Sequence, residues 1–334
     1  MVSAVIFVAT SCVSPLTGFA FWETNLAYEG ESIYNYLQVK NLSDRTILST
    51  NVLFGVQSVT MKDKGLTGMY YDTALAAPAF ADNANSALIL GMGTGTYARQ
   101  LKQYYPKMNI TGVEIDQKIT DLAGEYFDEP ADIPVTTYDG RAWLAASHDK
   151  YDVIMVDAYQ DITIPFQMSS TEFFTMVREH LNPGGVMVVN MNMISDGQGS
   201  INEALSDTIA SVFGNGNTLT ADVPNTTNRE LFAKKPGSGS EENSMQQASK
   251  ALNLRETTYE RTGSEDLEWY MEEVASRFRK VNEPDSASTI LTDDKAPVEV
   301  LGMHAIDQII ADEAGPYRQI LKDEGFGGLL RAVQ

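Results

Sequence analysis

Residues Ser86–Asp116 read SALILGMGTGTYARQLKQYYPKMNITGVEID, and this stretch decides the architecture. SALIL is a short apolar run of the kind that forms a buried strand, and Gly91 closes it. GMGTGT supplies a glycine turn. Tyr97–Tyr105 carries a helical pattern that stops before Pro106, and ITGVE (Ile110–Glu114) is a second apolar strand. Strand, glycine turn, helix, strand is the repeating unit of a parallel sheet.

The rhythm continues downstream. A helix is expected over Gln117–Phe127, then a strand at PVTTY (Pro134–Tyr138) and a short helix over Arg141–Ala146. YDVIMVD (Tyr151–Asp157) is a fourth strand, Thr171–Leu181 a helix and GGVMVVNM (Gly184–Met191) a fifth strand. The fold expected is α/β, a doubly wound Rossmann-like sheet whose ligands bind outside the carboxyl ends of the strands. Upstream, Ile33–Lys40, Thr46–Ser49 and Val52–Met61 read as strands of a small antiparallel unit, with a short helix over Tyr70–Phe80. Further on, Gly237–Ala248 reads as an exposed polar loop and Glu265–Val281 as a charged helix. LTDDKAPVEVLG (Leu291–Gly302) reads as a turn with a short extended run.

The 334 residues suit two domains, or one large domain with additions. The single cysteine, Cys12, excludes a disulfide framework and any multi-cysteine metal site. His148, His180 and His304 lack ligand spacing, so no metal is expected. With 24 basic against 45 acidic residues, the net charge of −21 repels phosphate backbones and argues against nucleic acid as a partner. It suits a small cationic substrate, and equally an ordinary solvated acidic surface. No charged side chain occurs from Met1 to Trp22, a run long enough to cross a bilayer, which needs about 20 residues. Membrane anchoring through residues 2–22 is therefore an expectation, beside a buried or disordered N-terminal arm.

Candidate site residues fall at the ends of the expected strands. Gly91, Gly93, Thr94 and Gly95 form the turn after the first, where a ligand can approach the backbone and the next helix offers free amides. A purely structural tight turn fits the same residues. Glu114 ends the second strand, 19 residues after Gly95, where an acid can accept both ribose hydroxyls. Asp116 is placed to cap the following helix. Asp139 and Gly140 follow the third strand, where the acid can accept from an adenine amino group or cap a helix. Glycine turn, ribose acid and adenine acid together describe an adenosine pocket. Asp157 ends the fourth strand and Asp161 follows it. Either can hold a substrate ammonium, take its proton, or start a loop.

In order and spacing, GMGTGTYAR, GVEID, YDG, YDVIMVDAY and LNPGGVMVVN resemble the polyamine aminopropyltransferases, the spermidine synthases. The resemblance extends to SIYNYLQV and FGVQSV upstream and LTDDKAPVE downstream, and covers roughly residues 30–300. It is nearest to the bacterial branch in which the synthase follows a membrane-spanning region. The resemblance implies a class I methyltransferase-like sheet with a small N-terminal β-strand domain. The implied division is 1–22 (apolar segment, possible transmembrane helix), 23–80 (β domain) and 81–334 (nucleoside-binding catalytic domain with C-terminal helices).

The implied reaction is transfer of aminopropyl from decarboxylated S-adenosylmethionine to an amine such as putrescine, leaving methylthioadenosine. By position, Glu114 would hold the ribose, Asp139 the adenine with Pro165 near it, and Asp157 the attacking amine. Gln57, Tyr70 and Asp161 would line the amine side. The chain departs from the family at Thr94, where an acid holds the donor's amine, and at Asn35, where a glutamine follows the tyrosine. In PNTTNRELF the segment keeps Pro224 and lacks the tyrosine. Two other readings stay open: a methyltransferase using intact S-adenosylmethionine, and a silent nucleoside-binding domain. A nicotinamide oxidoreductase is disfavoured by the glycine spacing. A homodimer, and a place in the cytoplasm or on the cytoplasmic face of the cell membrane, complete the expectations.

Overall fold

The computed structural model describes residues 20, 23–51, 56–63, 65–159, 164–192, 199–237, 245, 248–286, 288–304 and 322. Four strands, β1 (Leu26–Glu31), β2 (Tyr36–Asn41), β3 (Arg45–Thr50) and β4 (Ser58–Met61), pair as an antiparallel meander in chain order. Two short helices, α1 (Tyr70–Ala74) and α2 (Ala76–Phe80), lead into the main sheet. There β5 (Ser86–Leu90), α3 (Thr96–Tyr104), β6 (Asn109–Glu114), α4 (Gln117–Tyr126), β7 (Val135–Thr137), α5 (Gly140–Ala146), β8 (Tyr151–Val156), α6 (Thr171–His180) and β9 (Leu181–Met191) alternate. The chain continues through α7 (Ile201–Phe213), β10 (Thr218–Asp222), β11 (Arg229–Lys234), α8 (Ala251–Thr262), α9 (Glu265–Arg277) and β12 (Phe278–Lys280).

The main sheet has the order β12-β10-β11-β9-β8-β5-β6-β7. Its pairs from β7 to β9 are parallel, and those among β9, β11, β10 and β12 are antiparallel. Side chains alternate faces along a strand, and the two sides of the core follow from that. Ala87, Ile89, Val153, Met155, Val186 and Val188 pack on one face with α1, α2 and α3. Leu88, Leu90, Ile154, Val156, Met187 and Val189 pack on the other with α6 and α7. Covered on both faces, these strands have to be nearly uninterrupted apolar runs, as their sequences are. The meander joins this body by packing Leu37, Val39 and Leu48 against Ile119 and Leu122 of α4.

Several expectations need correction. The second strand begins at Tyr36, because Ser32 caps a turn through its hydroxyl, and Ile33 and Tyr34 stand exposed in that turn. β1 has no counterpart in the sequence reading: LAYEGE is short of apolar residues and earns its place by pairing with β2. Of the run 52–61, the strand takes Ser58–Met61, and 52–55 lie outside the described residues. The helix expected to reach Val281 ends at Arg277 and passes directly into β12. The run after Thr292–Lys295 is not extended: residues 298–304 are helical. Most of 237–248 lies outside the described residues, but Met245 is fully buried in the core, unlike a residue of an exposed loop.

Apart from Ala20, residues 2–22 lie outside the described residues. Among the described residues no helix is long and apolar enough to cross a membrane.

Candidate active site

At the carboxyl edge of the main sheet, β6 and β7 lie to one side of β5, and β8 and β9 to the other. Loops leaving β5 and β8 therefore part in opposite directions, which opens a crevice. A cavity of about 770 Å³ occupies it, and Gly91, Gly93, Glu114, Asp139, Gly140 and Asp157 all line it.

Gly91 shows why the turn needs glycine. Its φ is +87°, and a Cβ there would stand 2.3 Å from the carbonyl oxygen of Asp157. The two chain segments touch because the Asp157 N–H donates to the Leu90 carbonyl (2.8 Å) as β8 runs beside β5. The glycine turn and the acid are thus one rigid unit.

Asp157 meets two side-chain donors. Tyr70 O–H donates to one carboxylate oxygen (2.6 Å) and Asn190 Nδ2 to the other (2.9 Å). Burial nevertheless outweighs both bonds and pushes its pKa up to about 7, with the charge of Glu114 adding to the rise. Such a carboxylate can both hold an ammonium and exchange a proton near neutrality.

Glu114 is buried and accepts from the Gly93 N–H (2.8 Å) and the Asp116 N–H (3.0 Å). Burial raises its pKa, while those backbone bonds pull it down. Each carboxylate oxygen has a further lone pair to offer. Asp139 has two attachments: it caps α5 by accepting from the Ala142 N–H (2.7 Å), and it lines the cavity. Asp116 caps α4 and also receives the Ser32 hydroxyl and the Asn35 amide (2.9 Å), tying the meander to the sheet.

Gln57, Tyr70 and Pro165 line the cavity as well. Asp161 lies outside the described residues. Thr94 and Gly95 do not reach the cavity. Thr94 is fully buried between Gly93 (φ +55°) and Gly95 (φ +77°). Gly95 packs against Glu129 and starts α3.

Comparison with known proteins bears on this geometry. The model of the spermine/spermidine synthase domain matches residues 69–235. A Bifidobacterium longum protein named as a probable polyamine aminopropyl transferase is 99% identical over all 334 residues, which cover 75% of its own length. The chain belongs to the spermine/spermidine synthase family. Among solved structures, a probable spermidine synthase from Corynebacterium glutamicum aligns with a TM-score of 0.57 at 22% identity, over 80% of this chain and 99% of that one. A spermidine synthase in complex with the transition-state analogue AdoDATO aligns at 0.52 and 18% identity, over 63% of this chain and 74% of the other. These two carry the fold: a methyltransferase-like sheet beside a separate N-terminal sheet.

Four residues that the sequence reading of this family member passed over belong to the site: Asn190, Tyr159, Asn228 and Tyr71 line the cavity. Asn190 donates to Asp157 and accepts from Asn228 Nδ2 (2.8 Å). Tyr159 hydrogen-bonds the Asn190 carbonyl, and Tyr71 donates to the Gln57 carbonyl (2.8 Å). For Asn190 a signal existed, an amide at the carboxyl end of an otherwise apolar strand. For Asn228 there was none, because β11 reaches β9 only by antiparallel pairing across a long stretch of chain.

Proposed function

We propose that this chain, a transferase of the polyamine aminopropyltransferase kind, moves aminopropyl from decarboxylated S-adenosylmethionine to a di- or polyamine such as putrescine and releases methylthioadenosine. The observation that carries the reading is Asp157, a carboxylate held by Tyr70 and Asn190 in the crevice that Glu114 and Asp139 also line. In this reading Glu114 accepts the ribose hydroxyls, Asp139 the adenine amino group, and Pro165 packs near the base. Gln57 and Tyr70 line the amine side, and Asp161 is proposed as a substrate-binding acid.

The donor's sulfonium already activates the adjoining carbon. The remaining barrier is to present a neutral amine, because a free alkylammonium keeps its proton to a pH of about 10.4, the lysine value. The ammonium yields a proton to Asp157, and the nitrogen lone pair attacks the aminopropyl carbon. The C–N bond forms as the C–S bond breaks, and its electron pair leaves on sulfur as the neutral thioether. Alignment of nitrogen, carbon and sulfur in one cavity supplies much of the acceleration.

Purified protein offered either donor with a panel of diamines tests this by mass spectrometry. Methylthioadenosine with an aminopropylated amine is the expected result. S-adenosylhomocysteine would assign a methyltransferase instead, and no turnover with any pair would leave a binding domain. Anchoring through residues 2–22 and pairing into a homodimer are part of the proposal. Vesicle flotation and light scattering of the full chain check them, and a chain that stays in the dense fraction as a monomer overturns both.

A further inference from the structure

Three polar side chains stand in a row across three neighbouring strands of an otherwise apolar sheet face. Asp157 follows β8, Asn190 lies at its level on β9, and Glu230 of β11 is the cross-strand partner of Asn190. The same face continues through Val188 and Phe232 into the core. Asn190 spends its amide on Asp157 and on Asn228, so it leaves Glu230 aside. Glu230 is completely buried, and neither carboxyl oxygen has a hydrogen-bond partner among the described residues.

An unpaired buried acid is costly in a stable fold and calls for a reason. Among the described residues, the groups that act on it offer no counter-charge. Asp157 repels it from β8, and the phenols of Tyr159 in the following loop and Tyr97 on α3 lie within its field. On α1, Tyr70 is bonded to Asp157, and Asp72 is taken by Thr67, Gly68 and Gln100. Further along the same face of β11, Lys234 is held by Asp82 and the Phe80 carbonyl. Burial first, and the charge of Asp157 second, keep the Glu230 carboxyl well above the ordinary carboxylate range.

We propose that Glu230 is a further acid of the acceptor site, pairing with the second ammonium that a diamine or polyamine brings alongside Asn190. This rests on the polyamine reading above. Adjacent strands are about 4.8 Å apart, so Asp157 and Glu230 spring from backbones about 10 Å apart. Asn190 lies on the strand between the two acids, and Asn228 bonds to it. On binding, the Glu230 proton passes to solvent and the carboxylate pairs with the distal ammonium. Glu230 is not among the residues that line the cavity, so engagement takes a side-chain rotation towards it.

Calorimetry in two buffers of different ionisation enthalpy counts the protons released on binding, with methylthioadenosine present. In the unaltered protein 1,4-diaminobutane should release about one proton more than n-butylamine, which has no second ammonium. Glu230→Gln should erase that difference and weaken the diamine about tenfold or more, with n-butylamine unchanged. Equal proton release by the two amines in the unaltered protein overturns the assignment without any variant. So does a folded Glu230→Gln protein with undiminished diamine affinity. Failure of methylthioadenosine and of every amine to bind would instead remove the functional reading, and this assignment with it.

Discussion

At the scale of single residues, the chemistry concentrates in one carboxylate under opposed forces. Removing water from Asp157 raises its pKa, and the bonds from Tyr70 and Asn190 lower it without cancelling the rise. Asp157→Asn keeps the shape and can still bond both neighbours, since the tyrosine hydroxyl can turn to accept. Without the base, turnover should fall about 10²–10⁴-fold, with methylthioadenosine affinity nearly unchanged, as steady-state rates and calorimetry would show. An Asn variant of full activity would exclude Asp157 as the base. The same variant should be the more stable protein above neutrality. Well below pH 3.8 folded and unfolded chains both carry the proton, and burying the acid then costs no ionisation energy. Between there and pH 7 the unfolded chain releases it first, so stability drops, by about 4 kcal/mol for a rise from 3.8 to about 7. Denaturant melts of both proteins at pH 4 and pH 8 measure the difference. Tyr70→Phe deletes a bond that lowers this pKa, so the acid limb of kcat/KM should move to higher pH. A limb that stays put or moves down would contradict the geometry.

At the scale of elements, the site depends on strand ends brought into contact. Gly91 bridges β5 and the end of β8, and no side chain fits at its positive φ with the Asp157 carbonyl so near. Gly91→Ala should cost about 1–2 kcal/mol for the backbone conformation alone, and more for the displaced carbonyl. Gly124 is a useful contrast. It lies exposed within α4 with open space where a Cβ would go, so Gly124→Ala should stabilise by about 0.5–1 kcal/mol. Urea titration of the two variants should give opposite signs, and the same sign in both would refute this account of the turn. Asp116 and Asp139 carry a second lesson. Each caps a helix, and each also does something its cap does not require: one ties down the meander, the other faces the cavity.

At the scale of the whole molecule, the cavity is shared between the two sheets. Gln57 and Val56 precede β4 of the meander, while Glu114, Asp139 and Asp157 come from the main sheet. A nucleoside that binds only the folded protein should stabilise it by about 2.7 kcal/mol at a concentration of 100 Kd. Methylthioadenosine should therefore raise the melting temperature. Glu114→Ala should weaken its binding by about 1.5–3 kcal/mol, the worth of a hydrogen bond to a charged group, and shrink the shift accordingly. Equal shifts in both proteins would remove Glu114 from the nucleoside site.

The sequence by itself determined the alternation of strands and helices, the glycine turn at Gly91 and Gly93, and the acids at three strand ends. These follow from local physics: apolar period, glycine's freedom at positive φ, and the chain's exit from a parallel strand. Tertiary structure alone decided that Thr94 is buried, that Tyr70 and Asn190 grip Asp157, and that Glu230 lies beside Asn190. The order in which strands lie side by side comes from packing between distant segments. No period in the chain records that β11 returns next to β9, so the neighbours it brings to the site could be known only from the folded molecule.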